Sequence, residues 1–212
     1  MKTNIAVLVS GGGTNLQALI DAQKLGELGG GEITAVISTK EGAYALERAK
    51  NAGIPGYVVP RKAYDSNQAM TIAMVEKLKA LDIQLVVLAG CMVIFTSELT
   101  EAYPNAIMNV HPALIPSFCG KGFYGLHVHE AALAYGVKLS GATVHFVSEE
   151  CDGGPIIAQR AVAVHEDDTP ETLQKRIMEE AEWKLLPEAV SLFCQGRLSV
   201  EGRKVKINEG GT

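Results

Sequence analysis

Cysteine is scarce and unpatterned in this chain, and basic residues are outnumbered by acidic ones. Cys91, Cys119, Cys151 and Cys194 show no C-x-x-C spacing, which argues against a zinc knuckle or a paired redox motif and suits reduced thiols. Lys and Arg number 19 against 24 Asp and Glu, a formal net charge of −5. Nothing therefore draws the chain as a whole to nucleic acid or anionic lipid. The one dense basic stretch, Arg203-Lys204-Val205-Lys206, reads as a solvated strand face. Long apolar runs are missing too. The longest window, Ile83 to Phe95, falls short of the ~20 residues a helix needs to cross a bilayer. The apolar start after Met1-Lys2 is cut at Ser10, too soon for a signal-peptide core. These absences predict a soluble, cytoplasmic protein. G-x-x-x-x-G-K-[ST], G-x-S-x-G and H-E-x-x-H are also absent, which disfavours P-loop hydrolysis, a nucleophile-elbow hydrolase and a zincin site.

What is present is an α/β pattern. Its 212 residues, 47% apolar and 20% charged, are enough for one substantial core. Ile5–Val9, Ile33–Ser38, Tyr57–Val59, Leu85–Leu88 and Ala106–Val110 read as strands. Asn15–Lys24, Tyr44–Ala52, Asn67–Leu81 and Ser97–Tyr103 read as the helices between them. Leu16, Leu19 and Ile20 form an i, i+3, i+4 stripe on the first helix. Such alternation predicts a mostly parallel sheet covered on both faces. After a helical segment, Leu126–Tyr135, the runs Leu139–Val147 and Ile156–Val164 are joined by the turn-forming Asp152-Gly153-Gly154, which predicts an antiparallel pair. A long helix follows, capped by Thr169 with Pro170 at its first position; Leu173, Ile177, Ala181, Leu185 and Leu192 would form its core stripe, and Pro187 should kink it. The tail predicts a small hairpin over about 198–207 about Gly202, with 208–212 frayed. With no repeat or linker, residues 1–212 read as a single domain.

Three stretches carry candidate chemistry. Asn109-Val110-His111 ends an apolar run at Pro112, which cannot continue a ladder, so an amide and an imidazole stand at a strand's end, where open α/β sheets bind ligands. Asp152-Gly153-Gly154-Pro155 adds a carboxylate. His111 alone is as compatible with a structural turn as with catalysis. Ser10-Gly11-Gly12-Gly13-Thr14-Asn15 lies between the first strand and first helix, suited to a phosphate on the free amides of a helix N-terminus or to a ligand-free tight turn. Glu182 borders the last helix's stripe beside Met178 and Leu185; it could reach solvent or hold a cationic ligand group against the sheet. His127, His129 and His145 invite a metal, but residues two apart on a helix point in different directions, so no metal site is expected.

Taken together, IAVLVSGGGTNLQALID (5–21), VVLAGCMVIF (86–95), NVHPALIPSF (109–118), GATVHFVSEECDGGPIIAQ (141–159) and EAEWKLLP (180–187) resemble the folate-dependent formyltransferases, and among them the glycinamide ribonucleotide formyltransferases of purine synthesis. The resemblance runs from the first strand to about Leu198. It implies a Rossmann-like domain whose sheet is mostly parallel, with an antiparallel strand pair toward the C-terminus. It implies transfer of the formyl group of 10-formyltetrahydrofolate, a co-substrate, to the amine of phosphoribosylglycinamide by a monomer or homodimer, without metal, nucleic acid or membrane. Position by position, Gly13, Thr14 and Asn15 would hold the phosphate, and Glu179, Glu180, Ala181 and Glu182 the ribonucleotide, with Glu182 near its amine. Asn67, Met92, Val93, Ile94 and Phe95, with Asn109 and Ser148, Glu149, Glu150, Cys151 and Asp152, would line the folate pocket. Asn109, His111 and Asp152 would be catalytic. Formyl transfer passes through a tetrahedral oxyanion, which Asn109 and a protonated His111 would stabilise, with Asp152 raising the imidazole's pKa. Val93 and Asn67 stand where the family often has Arg, and the segment Cys119–Tyr124 exceeds the family's shortest versions. A formyltetrahydrofolate hydrolase and a non-enzymatic nucleotide-binding module are the alternatives. Hydrolases of this fold usually carry a regulatory domain before the catalytic one, and here the first strand begins at Ile5. The binding module leaves the Asn109, His111 and Asp152 group without a role.

Overall fold

The structure, a computed structural model, describes residues 2–209. Its frame is a nine-stranded sheet in the order β3-β2-β1-β4-β5-β6-β7-β9-β8. The parallel half comprises β1 (Thr3–Val9), β2 (Gly31–Ser38), β3 (Gly56–Val58), β4 (Leu85–Leu88) and β5 (Ile107–His111). Next to it, β6 (Leu139–Phe146) and β7 (Ile156–Ala163) run antiparallel, as the turn chemistry predicts. Ile5 to Val9 and Leu85 to Leu88 are buried, the mark of strands covered on both faces. Pairing reverses direction from β1: β2 lies on one side and β4 on the other. Such a switch point opens a crevice at the strands' C-terminal ends, where Ser10, Ala89 and Pro112 follow.

The helices cover the two faces. On one, α1 (Thr14–Lys24), α2 (Tyr44–Asn51) and the last helix pack over the parallel strands, with Leu16, Leu19 and Ile20 buried as their spacing predicts. On the other lie α3 (Asn67–Ala80), which Ser66 caps through Ala69 N–H at 3.0 Å, and α4 (Ser97–Ala102). A smaller core joins β6 and β7 to α6 (Pro170–Ile177), with Leu133 of α5 (Leu126–Tyr135) packed against it. Thr169 and Pro170 start α6 as expected, and Thr172 completes a capping box.

Two expectations need correction. The long last helix is interrupted by a π turn, Met178–Glu182, before α7 (Trp183–Cys194), and Pro187 lies inside α7 one turn later. The widened turn advances the buried face by one residue, so Leu185, Leu186, Ala189 and Val190 enter the core while Leu192 is half-buried. The expected terminal hairpin, β8 (Leu198–Glu201) and β9 (Lys204–Ile207), is present, and pairing of Lys204 with Ile156 of β7 extends the sheet. Asn208 is tied rather than frayed: its N–H donates to the Arg197 carbonyl at 2.7 Å. Residues 210–212 lie outside the described residues.

Candidate active site

The crevice is a cleft of about 970 Å³. Its walls are the loops that follow β1, β4 and β5, the turn between β6 and β7, and the π turn. Local geometry explains each wall. Gly13 caps α1 at φ 72° with no side-chain cap, so the first-turn amides of α1 lack a side-chain acceptor. A Cβ on Gly13 would stand 2.7 Å from Ala45 Cβ, whereas one on Gly12 would meet nothing within 4 Å. The left-handed φ and close packing against α2 together account for glycine at position 13. Arg48 fastens the loop through Nε to the Gly12 carbonyl at 2.8 Å. Ser10 Oγ accepts from Met92 N–H at 2.9 Å and bonds Thr39 Oγ1 at 2.7 Å, tying the loop after β4 to the loop after β1.

At the centre, Asp152 gathers the other polar groups. Its carboxylate Oδ1 accepts from Asn109 Nδ2 at 3.5 Å, and Oδ2 lies 3.6 Å from His111 Nδ1 and accepts from Gly120 N–H at 2.9 Å. Asp152 reaches this position from a left-handed turn, φ 54°. Gly154 makes that turn possible, since a Cβ there would overlap the Phe146 carbonyl. The His111 ring is fixed from behind, its Nε2 2.8 Å from the Phe118 carbonyl. Thr143 secures the backbone after His111, donating to the Ala113 carbonyl at 2.7 Å and accepting from Ile115 N–H at 3.1 Å.

His145 also belongs to this group. It sits opposite Asn109 in the antiparallel register, with Nε2 3.2 Å from Asn109 Nδ2 and 3.6 Å from Asp152 Oδ1. Its Nδ1 meets the Phe146 carbonyl at 2.8 Å, which fixes the proton there and leaves Nε2 to accept from Asn109. Sequence reasoning weighed His145 only as a metal ligand. The usable signal was strand parity, which puts it on the same face as Thr143, but its pairing with Asn109 depends on register. His127 is instead exposed against Glu130 at 2.9 Å, and His129 is buried. Among the described residues no three His, Cys, Asp or Glu side chains are grouped for a metal.

Charge follows from these contacts. Burial lowers the pKa of His111, and His145 adds to the effect; together they outweigh the Asp152 charge and the Phe118 carbonyl, which act upward. Asp152 thus acts upward on the imidazole, as expected, but burial outweighs it and the net shift in the open cleft is downward. Burial alone would raise Asp152, yet its neighbours His145 and His111, whenever they take up a proton, and Gly120 N–H hold it below the ordinary carboxylate value. Glu182 is the reverse. Burial pushes it up to about 7 against a single opposing hydrogen bond, Asn15 Nδ2 to Oε2 at 2.6 Å. Among the described residues Asn15 Oδ1 is buried without a partner.

The other predicted site residues divide. Thr14, Asn15, Met92, Val93, Ile94 and Phe95 line the cleft, as do Ser148, Glu149, Glu150 and Cys151. Asn67 is not among the lining residues; it accepts from Arg61 Nε and donates to the Ile94 carbonyl at 3.3 Å, bracing the pocket from outside. Glu179 and Glu180 are exposed and Ala181 is in the small core, so none of the three lines the cleft. The π turn presents Met178 and Glu182 there instead, with Gln174 beside them. No helix among the described residues is long and apolar enough to cross a membrane.

Residues 3–190 match the formyl transferase family. A phosphoribosylglycinamide formyltransferase of Haemophilus influenzae is 41% identical over 197 residues, covering 93% of this chain and 90% of the relative. Glycinamide ribonucleotide transformylase 1 from Symbiobacterium toebii superimposes with a TM-score of 0.92 at 45% identity, covering 98% of this chain and 95% of that one. A formyltetrahydrofolate deformylase from Pseudomonas syringae shares the fold with a TM-score of 0.86 at 27% identity, covering 99% of this chain and 67% of the deformylase.

Proposed function

The chain belongs to the formyl transferase family, and from that membership we propose that it moves the formyl group of 10-formyltetrahydrofolate onto the amine of phosphoribosylglycinamide in purine synthesis. It is an enzyme, and 10-formyltetrahydrofolate is its co-substrate. Residues 1–212 act as one catalytic domain in the cytoplasm, as a monomer or homodimer. The observation that carries the site assignment is the Asp152 carboxylate within 3.6 Å of both the Asn109 amide and the His111 ring.

The ribonucleotide phosphate sits on the amides of Gly13, Thr14 and Asn15. Its ribose then lies beside Asn15 and Glu182, whose oxygens accept from the hydroxyls; the unpartnered Asn15 Oδ1 gains a donor this way. On this reading Glu182, hydrogen-bonded to Asn15, holds the sugar. The folate occupies the apolar side, between Met92 to Phe95 and Ser148 to Asp152.

A glycyl amine has a pKa near ~7.7–8.0 and arrives largely as ammonium. Neutral His111 removes that first proton, and the free amine attacks the formyl carbon. Asn109 and the newly formed imidazolium then stabilise the oxyanion. Asp152 favours the imidazolium at that moment and takes the second proton from the attacking nitrogen. The proton on His111 passes to the departing N10. One proton leaves to solvent, and atoms and charge balance.

An assay with both substrates, following tetrahydrofolate, tests this. Release that requires the ribonucleotide is expected; release in its absence would instead favour the deformylase reaction, to which the fold is also similar. The phosphate site is tested at Gly12, which is free of the collision at Gly13. Gly12→Val should raise KM for the ribonucleotide roughly tenfold with folate affinity unchanged, as expected for lost amide contacts to an anion.

A further inference from the structure

We propose that Phe118 is a positioning residue: its carbonyl fixes the proton of His111 on Nε2, so Nδ1 is the nitrogen that exchanges protons in the reaction. The inference rests on the formyl-transfer reading above. A carbonyl oxygen has lone pairs and no proton, so a contact of 2.8 Å with Nε2 places an N–H there. A neutral imidazole carries only one such proton, and Nδ1 is therefore bare. Nδ1 faces Asp152 Oδ2 at 3.6 Å, a lone pair opposite a carboxylate, which makes it the acceptor for the substrate's ammonium proton. The N–H bond formed at Nδ1 matches the one broken at the ammonium, and it is broken again when N10 departs.

Phe118 is held for this task. Its φ of 50° is unusual for an aromatic residue, and its ring is gripped edge-on by Phe123 at 6.4 Å and Tyr135 at 5.9 Å. Two residues on, Gly120 N–H meets Asp152, so one short segment touches both partners through its backbone. Tyr135, at the end of α5, is 80% exposed and outside the cleft lining, so truncating it disturbs the grip without touching substrate.

The experiment is ¹⁵N NMR of the His111 ring, with kinetics, in the wild type, Tyr135→Ala and Tyr135→Phe. The wild type should show the Nε2–H tautomer at alkaline pH. Tyr135→Ala should mix the tautomers, lower kcat roughly tenfold and leave both KM values in place, as misorientation of a catalytic group does. Its acid limb should move to lower pH, because the loosened carbonyl no longer favours the imidazolium. The other titratable groups around the pair are His145, His129, Glu150, Cys119 and Cys151, and the variant changes none of them. Tyr135→Phe keeps the ring and should behave as wild type. An Nδ1–H tautomer in the wild type overturns the proposal, as does Tyr135→Ala with unchanged kcat and acid limb. The tautomer is read without turnover, so a wrong substrate and a wrong nitrogen fail separately.

Discussion

Asp152 and Glu182 open onto the same cleft and meet different company there. Around Asp152 stand a backbone N–H, the Asn109 amide and two imidazoles. Among the described residues Glu182 has Asn15 alone. Burial acts on both in the same direction, toward the neutral acid, yet Asp152 ends below the ordinary carboxylate value and Glu182 at about 7. The polar partners each carboxylate meets, and not depth alone, set the two apart. A carboxylate kept ionised can favour an imidazolium and take a proton; one poised near neutrality can accept from a hydroxyl without a fixed charge.

The largest effect should come from Asp152→Asn, which nearly preserves shape and removes the charge. We expect kcat to fall by about a hundredfold or more with KM little changed, since the lost interaction acts on charge that develops only in the transition state. His111, already lowered by burial, should titrate lower still, and an NMR titration checks this. An unchanged His111 pKa with wild-type turnover would reduce the contrast between the carboxylates to an accident of packing.

Glu182→Gln should raise KM for the ribonucleotide and leave kcat nearly intact. It should also stabilise the unliganded protein in a pH-dependent way. The folded-state pKa of about 7 lies above the ordinary 4.5, so the folded protein holds the proton more tightly. That contribution is complete below pH 4.5 and is lost as pH rises through 7. Wild type should therefore lose up to ~3 kcal/mol across this window that the glutamine variant keeps. Melting curves at pH 4.5 and 8 measure the difference, and equal gaps at both would show that Glu182 does not titrate there.

Asn15→Ala removes the one donor of Glu182. The carboxyl should then titrate above its present value, visible in the infrared carboxylate band, and KM for the ribonucleotide should rise. The smallest effect is expected for Asp168→Asn, a control remote from the cleft. Asp168 accepts from Arg176 Nη1 and Nη2, both at 2.6 Å, and the Arg176 hydrogen bonds hold its carboxyl well below the usual range. Its contribution is present above pH 4 and fades in stronger acid, so the variant should melt a few degrees lower at neutral pH, with kinetics unchanged and the gap closing on acidification.

Much of the frame was legible beforehand because its signals are local. The apolar runs of β1, β4 and β5 and the stripe of Leu16, Leu19 and Ile20 announce themselves within a few residues. So do the Thr169-Pro170 start and the Asp152-Gly153-Gly154 turn. The candidate trio was legible from the ends of these runs and from motifs shared with the family. His145, Phe118 and Gly120 were not, and neither was the charge of His111.

By itself, then, the sequence determined which segments are strands and helices, and that an amide, an imidazole and a carboxylate stand at strand ends. Hydrophobic periodicity and turn chemistry act over a few residues, so the order of residues suffices for them. Only the tertiary structure decided that His145 pairs opposite Asn109, that a π turn carries Glu182 into the cleft while Ala181 enters a core, and that a backbone carbonyl holds His111. Register and burial bring together groups far apart in the chain. The protonation of each then depends on how much solvent it loses against how many donors it gains, a balance that no local pattern contains.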